Sequence, residues 1–155
     1  MQRGKRLIRE RQTDGDTPYV SSSALNNGVD NFIGNTDGVR RFKNCLSLAN
    51  SGSVGSCFYE PFEFIASDHV THLKHEAFNQ FIYLFLVVAI EKQGNNFNFN
   101  REITDSRIKQ MKIMLPISDK ETPDFSYMEL CAKRMMLKKY RDYLAFLETH
   151  VAHTS

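Results

Sequence analysis

The chain has 155 residues, enough for one ordinary domain to bury a core without disulfides or a metal ion as staples. Hydrophobic residues make up 41% of the sequence and charged residues 25%, which excludes a disordered or collagen-like chain. The formal net charge of +2 is too small to indicate nucleic-acid binding by itself, so the distribution of the charges matters more than their sum.

Neither a membrane span nor a secretory signal is predicted. The longest apolar run, Phe81 to Ile90, is about half as long as the roughly 20 residues that a bilayer-spanning helix needs. The basic segment Met1 to Gln12 is not followed by the apolar stretch of a signal peptide, so a cytoplasmic chain is expected. Cys45, Cys57 and Cys131 fit neither a disulfide framework nor a zinc site, and we expect reduced, mostly buried thiols.

The first half of the chain is predicted to be mainly β. From Thr13 to Asn50, short apolar runs alternate with Gly, Asn, Ser and Asp, which predicts short strands with long loops. Asn27-Gly28 and Asp37-Gly38 predict turns, because these residue types tolerate a positive φ. The segment Cys57 to Ser67 predicts a pair of strands broken at Pro61.

The second half is predicted to be mainly helical. Ala77 to Lys92 contains no Gly or Pro and is apolar almost all round, which predicts a helix buried on most of its faces. Ile103 to Gln110 predicts a short helix capped by Thr104 or Asp105. Met111 to Ile117 predicts a strand.

A long helix is expected after Pro123, from a cap at Asp124 or Ser126 to about Val151, or near 38 Å at 1.5 Å per residue. Its apolar side chains follow the 3-4 spacing of an a/d seam, which favours a coiled-coil partner over a membrane surface. The predicted helix interface comprises Leu137, Tyr140, Leu144, Leu147 and Val151. The predicted class is therefore α+β, with a mixed, mainly β globule at residues 1–122 and a long C-terminal coiled-coil-type helix at residues 123–155.

Several segments, in their order along the chain, carry a resemblance to one known family. They are Gly4–Leu7, Gly15–Ser21, Asn26–Val29, Ser51–Tyr59, Phe64–Val70, Met114–Ile117 and Pro123–Glu129. Together they resemble the target recognition domain of the specificity subunit in type I restriction-modification systems and in related systems with a separate specificity subunit. No single segment is specific, but this order along the chain is hard to obtain by chance.

The resemblance implies a protein that recognises a DNA sequence and performs no chemistry of its own. It implies that the globule, residues 1–122, is the target recognition domain, and that the helix, residues 123–155, sets the distance to a second domain and docks methyltransferase subunits. The implied partners are double-stranded DNA, a methyltransferase subunit, a restriction subunit as a further candidate, and a second copy of the chain through the helix. No cofactor and no metal ion is implied.

Specificity subunits of this family usually carry two recognition domains, each followed by a helix, whereas this chain contains one such pair. The resemblance therefore implies either a half-subunit or a domain excised from a longer chain. In both cases the seam of the helix would be available to pair two copies.

Residue types suited to the major groove occur in the loops. Asn and Gln pair with adenine, Arg and Lys with guanine, and Ser and Thr with either, while basic side chains also hold phosphates. The candidate DNA-binding residues are Lys5, Arg6, Ser21, Ser22, Ser23, Asn26, Asn27, Arg40, Arg41, Lys43, Ser53, Asn98, Asn100 and Arg101. The competing interpretation is that the Asn and Ser residues only form turns and that the basic residues form a solvated surface.

The glycine-rich segment and the group of three histidines both have simpler explanations than a ligand site. Gly52 to Gly55 resembles an anion-binding nest, but a tight strand connection is favoured, and the Lys-Ser or Lys-Thr of a P-loop does not follow. His69, His72 and His75 are spaced by three, but the surrounding segment Phe64 to Leu73 predicts a strand, where this spacing sends side chains to alternate faces, so a zinc site is not predicted.

Two alternatives to DNA recognition remain open. One is an interaction module that acts through its C-terminal helix without binding DNA. The other is an enzyme with a site assembled from Asp68, His69 and His72. An enzyme is disfavoured because no Asp or Glu is followed two positions on by Lys, as in many nucleases, and because a Gly-X-Ser-X-Gly motif is missing.

Overall fold

The computed structural model of the protein describes residues 1–94 and 102–151. The chain divides into two compact units, Met1–Met114 and Leu115–Ser155. Among the described residues, the first unit contains a mixed six-stranded sheet and two α-helices, and the second contains one long α-helix. The predicted α+β class is therefore confirmed.

The strands are β1 (Gln2–Arg3), β2 (Asp14–Val20), β3 (Val29–Ile33), β4 (Arg41–Ala49), β5 (Cys57–Ala66) and β6 (Val70–Leu73). The helices are α1 (Gln80–Gly94), α2 (Asp105–Gln110) and α3 (Phe125–Val151). In the sheet the strands follow the order β1-β6-β4-β5-β2-β3, and β2 and β5 run parallel while the other neighbours are antiparallel.

Strand β4 is strongly coiled, because its two ends pair with residues on either side of the short connection between β5 and β6. Its first residue, Arg41, lies opposite Ile65 near the end of β5, and its last residue, Ala49, lies opposite Val70 at the start of β6. Only residues 67–69 separate β5 from β6, so the Cα atoms of Ala66 and Val70 lie at most about 14 Å apart. A straight strand of this length would hold its ends about 26 Å apart, so β4 bends.

A β-bulge supplies the bend. The register of β4 against β5 shifts between Lys43 and Cys45, and the intervening Asn44 has a positive φ of 51°. Asn44 of β4 faces two residues of β5, Pro61 and Phe62, so the extra residue of the bulge belongs to β5. A bulge interrupts the ladder and increases the local twist, and the positive φ of Asn44 turns β4 at the same point. Asn44 tolerates the left-handed conformation, and its side-chain oxygen accepts a hydrogen bond from the Tyr59 hydroxyl at 2.7 Å.

Gly4 closes the structure over the β5–β6 connection. Its N–H donates to the Val70 carbonyl at 3.0 Å, and the next N–H, of Lys5, donates to the Ala66 carbonyl at 3.1 Å. A Cβ atom at residue 4 would collide with the carbonyl oxygens of Ala66 and Ser67. Only glycine permits this approach of one backbone to another.

The core fills both faces of the coiled sheet. One cluster contains Val20, Cys45, Phe64, Ala66 and Val70. The other contains Ile33 together with Tyr19 and Ile65, which are next to members of the first cluster in β2 and β5. This alternation follows from the two-residue period of a strand. All three cysteines are free thiols; Cys45 and Cys57 are buried and Cys131 is partly exposed, as predicted.

Helix α1 packs on strands β4 and β5 of the sheet. Asn79 caps it, because its side-chain oxygen accepts the N–H groups of Phe81 and Ile82 at 3.0 and 3.1 Å. Tyr83 is buried and stacks on Tyr59 of β5, with 5.5 Å between ring centroids. Of residues 81–90, Val88 alone is exposed, at 49%, and the others are buried or partly buried, so the predicted helix is covered at least in part on most of its faces.

Two predicted strand patterns are wrong. In place of a pair of strands broken at Pro61, Cys57–Ala66 forms one strand, because Pro61 lies at the bulged part of the β4–β5 ladder, where its missing N–H leaves no regular bond unmade. Met111 to Ile117 forms no strand, and Ile117 makes only an isolated bridge to Pro123.

Both predicted helix caps are present. The Thr104 hydroxyl accepts the N–H of Arg107 at 3.3 Å and begins α2. Asp124 accepts the N–H of Tyr127 at 2.9 Å and begins α3, which is about 40 Å long. Within the two described stretches of the chain, no helix is both long enough and apolar enough to cross a membrane.

Glu60 is a buried acid in the middle of β5. One of its oxygens accepts the Ser47 hydroxyl at 2.9 Å, and the other has no hydrogen-bond partner among the described residues. Burial raises the pKa of Glu60 from 4.5 to about 7, and the Ser47 hydrogen bond only partly opposes this shift. The folded protein therefore binds this proton more tightly than the unfolded chain does.

We predict that Glu60 lowers the stability of the protein as the pH rises. The folded pKa lies above the unfolded one, so its contribution falls from about pH 4.5 and is fully lost above about pH 7. A shift of this size corresponds to roughly 3 kcal/mol. Urea unfolding at pH 5 and pH 8 measures the effect, and Glu60→Gln, which cannot ionise, should gain stability relative to the natural chain at the higher pH. An equal difference at both pH values would contradict the prediction.

Candidate nucleic-acid interface

Two loops that contain predicted DNA-binding residues lie against each other. The Ser53 N–H in the β4–β5 loop donates to the Ser22 carbonyl in the β2–β3 loop at 3.0 Å. We call this region the paired-loop surface and define it by Ser21, Ser22, Ser23, Asn26, Asn27 and Ser53. Strand-end loops that meet on a rigid sheet are well suited to hold side chains in a fixed arrangement for binding.

Asn26 and Asn27 form the exposed turn of this surface. Their φ angles are 50° and 54°, in the left-handed region that Asn adopts more readily than most residues. Backbone bonds close the turn, with the Gly28 N–H donating to Leu25 at 2.8 Å and the Ser21 N–H to Gly28 at 2.9 Å. Neither asparagine amide makes a hydrogen bond within residues 1–94 and 102–151, so both can bind an external group.

The β4–β5 loop is the tight strand connection predicted for the Gly52 to Gly55 segment. Gly52 and Gly55 have φ angles of 62° and 88°. The position of Gly52 is also crowded, because a Cβ there would lie 2.7 Å from the Ser22 hydroxyl oxygen and 3.0 Å from its carbonyl oxygen. Glycine at this position therefore lets the two loops approach.

Lys5 lies near the start of the β2–β3 loop. The Lys5 N–H is bonded to Ala66, and the next residue, Ser67, donates its N–H to Val20, which directly precedes Ser21. The Lys5 segment and the start of the β2–β3 loop therefore flank the end of β5 on opposite sides. Two strand spacings put them roughly 10 Å apart. Lys5 and Arg6 are both exposed, and Arg6 lines a surface depression of about 520 Å³.

Arg40 and Arg41 are occupied by contacts inside the protein. Arg40 donates to the Arg3 carbonyl at 2.6 Å. Arg41 donates to a Glu63 carboxylate oxygen at 2.8 Å and to the Asn35 carbonyl at 2.9 Å, so it links three segments of the first unit. Lys43 is exposed.

The predicted residues Asn98, Asn100 and Arg101 lie outside the described residues. The chain resumes at Glu102, and the next N–H, of Ile103, donates to the Asn50 carbonyl at 2.9 Å. Ile103 is therefore held next to the start of the β4–β5 loop.

A second depression, of about 680 Å³, adjoins the Asn26–Asn27 turn and contains residues that sequence analysis did not select. Asn31, Phe32 and Phe62 line it together with the turn. The sequence predicts only a strand for Phe32. Because its neighbour Ile33 is buried, the alternation of side chains along β3 places Phe32 on the outer face. In the sequence, the alternation of neighbouring side chains is the one indication that either Phe32 or Ile33 is exposed.

The three histidines do not converge on a metal site. His69 contacts the Ser51 hydroxyl at 2.6 Å through Nδ1, while His72 stacks on Phe42 with 4.0 Å between ring centroids. His75 stacks on Phe78 instead. Among the described residues, no cluster of His, Cys, Asp and Glu is arranged to hold a metal ion.

The predicted seam of α3 is largely exposed within the second unit. Leu137, Tyr140 and Leu144 are exposed, Leu147 is partly buried, and the Val151 side chain lies outside the description. An apolar stripe in contact with water is typical of a surface that binds a partner.

We predict that Gly52→Ala destabilises the protein more than Gly38→Ala does. Both glycines have a positive φ, which costs alanine about 1–2 kcal/mol, but a Cβ at Gly38 meets nothing within 4 Å. Gly52→Ala should cost at least about 1 kcal/mol more, because its Cβ also crowds Ser22. Thermal and urea unfolding of the two variants measure the difference, and equal losses would mean that the loops separate at no cost.

A family model and a curated relative identify the family of this chain. Residues 1–140 match the family model described as "Type I restriction modification DNA specificity domain". The "Type II restriction enzyme BgcI specificity subunit S.BcgI" of Heyndrickxia coagulans is 31% identical over 138 residues, covering 85% of this chain and 39% of that protein. The S subunit of a type I restriction-modification system from M. genitalium matches with a TM-score of 0.49 and 17% identity, over 96% of this chain and 40% of that structure.

The chain spans about two fifths of the length of the curated relative that it matches. The family model nevertheless covers most of the chain, including the paired-loop surface and the first part of α3. The protein belongs to the family of type I restriction-modification DNA specificity domains.

Proposed function

We propose that the chain recognises a DNA sequence as the specificity subunit, or as one half of such a subunit, in a restriction-modification complex. It directs methyltransferase and nuclease subunits to the target and performs no catalysis itself. The observation that carries the proposal is the paired-loop surface, where two unpaired asparagine amides are displayed on a turn that backbone hydrogen bonds hold. An asparagine amide matches the donor and acceptor that adenine presents in the major groove.

The exposed basic residues have a different role from the paired-loop surface. Lys5 and Arg6 contact phosphates, which give affinity and register without sequence information. Arg40 and Arg41 act mainly within the fold, since both guanidinium groups already have protein partners. Substitution at Arg41 would therefore test folding as much as DNA binding.

The two parts of the chain have different roles in this proposal. The globule, residues 1–122, is the target recognition domain, and the helical part, residues 123–155, connects to the rest of the complex. The exposed seam of α3 docks a methyltransferase subunit or a second copy of the chain. The complex acts on double-stranded DNA in the cytoplasm as a bacterial defence.

The alternative is an interaction module that acts through α3 alone. The exposed apolar seam favours this function equally well, because it requires a protein partner whether or not the globule binds DNA. Only the paired-loop surface distinguishes the two, so the experiments must address the loops and the helix separately.

We predict that Asn27→Gly reduces sequence-specific DNA binding without disturbing the turn. Glycine accepts the φ of 54° but has no amide, and one bidentate pair is worth about 1–3 kcal/mol, or roughly 5- to 150-fold in affinity. The sequence is first selected from random duplexes, with the chain alone and with the modification subunit of its own system. Fluorescence anisotropy then compares the selected duplex with an unrelated one, whose binding should hardly change.

Lys5→Ala should instead weaken both duplexes alike and lower the slope of log affinity against log salt by about one. Lys92→Ala, which removes an exposed lysine on α1, is the matched control and should change neither quantity. Failure of the protein to select any sequence would leave the interaction module as the better explanation. A loss shared equally by both duplexes in Asn27→Gly would remove the turn from sequence recognition.

We predict that Leu144→Glu disrupts assembly through α3, because it places a charge in the middle of the apolar seam. Met135→Glu is the control, since Met135 is 61% exposed, against 57% for Leu144, but lies on the opposite side of the helix by its spacing. Light scattering of the chain, alone and mixed with the modification subunit, measures the assembly. A complex that tolerates Leu144→Glu would show that the seam is not the docking surface.

A further inference from the structure

The depression next to the Asn26–Asn27 turn combines amides with exposed phenyl rings. Phe32 is 56% exposed and Phe62 is 37% exposed, although large apolar side chains usually find cover in a protein core. Both rings line the depression together with three asparagines, Asn26, Asn27 and Asn31. Grouped exposed apolar side chains of this kind are typical of a binding surface.

The positions of these side chains are fixed by the sheet. Phe32 lies on β3 at the edge of the sheet, opposite Pro18 of β2. Phe62 lies in the irregular part of the β4–β5 ladder, which turns it away from the regular pairing. The Asn31 amide N–H donates to the Gln12 side-chain oxygen at 2.8 Å, which holds Asn31 in place.

The charge of the depression argues against a phosphate. Among the described residues that line it, Asp30 is acidic and none is Lys or Arg. The other depression contains Arg6 and Arg11 and suits phosphate far better. Guanine is also a poor match, because its two major-groove acceptors are usually bound by Arg or Lys.

An adenine–thymine pair matches both kinds of side chain. In the major groove adenine presents one acceptor and one donor, which an asparagine amide binds at once. Thymine alone among the four bases carries an apolar group there, its 5-methyl group, and phenylalanine is one of the residues that contact it. We infer that this surface is specific for an A·T base pair, with the Asn26–Asn27 turn at the adenine and Phe32 against the thymine methyl group. The inference rests on the proposed function and adds to it the identity of a recognised base pair.

The test replaces thymine by deoxyuracil, which differs only by the missing methyl group. In the selected duplex, each thymine is replaced in turn, and the affinity of the full chain for each duplex is measured. At one position the loss should be about fourfold, the value of one buried methyl-sized group. Phe32→Ala should bind thymine and uracil at that position equally, because the contact has already been removed.

Two further variants keep the result interpretable. Phe32→Leu retains an apolar side chain and should keep most of the preference for thymine, which also shows that the strand tolerates substitution. Val88→Ala shortens another exposed apolar residue, 49% exposed on α1, and should discriminate as the natural chain does. Circular dichroism and thermal unfolding of each variant verify the fold.

The outcomes separate the inference from the proposed function. A selected sequence with a uracil effect that disappears only in Phe32→Ala supports both. A selected sequence without any uracil effect, with an effect that persists in Phe32→Ala, or without an A·T pair overturns the inference and leaves DNA recognition intact. If the protein selects no sequence, both fail.

Discussion

The fold depends on the three-residue connection between β5 and β6, because the residues on either side of it pair with the two ends of β4. It forces β4 to coil, and the coil is possible because the ladder is interrupted where Asn44, with its positive φ, faces the bulge at Pro61 and Phe62 of β5. Gly4 then seals the connection at a distance that any side chain would prevent. Because the sheet curls in this way, the β2–β3 and β4–β5 loops touch and the Lys5 segment lies nearby, although the three lie far apart in the sequence.

The surface around these loops is divided by its chemistry. The depression that contains Arg6 and Arg11 offers positive charge, which suits the DNA backbone. The depression beside the Asn26–Asn27 turn offers amides and phenyl rings. Phosphate contacts and base contacts have different functions in DNA recognition, because the first set the register and the second choose the sequence.

Local chemistry made some features predictable from the sequence and left others hidden. The turn at Asn27-Gly28 and the caps at Thr104 and Asp124 follow from residue type and spacing alone. Arg41 and Lys5 both carry a positive charge, yet only the folded chain shows that Arg41 is bonded to Glu63 while the Lys5 side chain is exposed. Pro61 predicted a strand break because the bulge that accommodates it depends on the partner strand, which sequence spacing does not specify.

The backbone conformation of the Asn26–Asn27 turn restricts how this protein can acquire a new specificity. Both residues have φ angles near 50°, which only glycine, asparagine, aspartate and a few other types adopt without strain. Evolution at this turn is therefore limited to a small set of side chains. Within that set, a change from asparagine to aspartate preserves the backbone but replaces an amide with an acceptor-only group that prefers cytosine. If the turn reads a base, as proposed, a single substitution here would redirect the protein to a different base without rebuilding the loop.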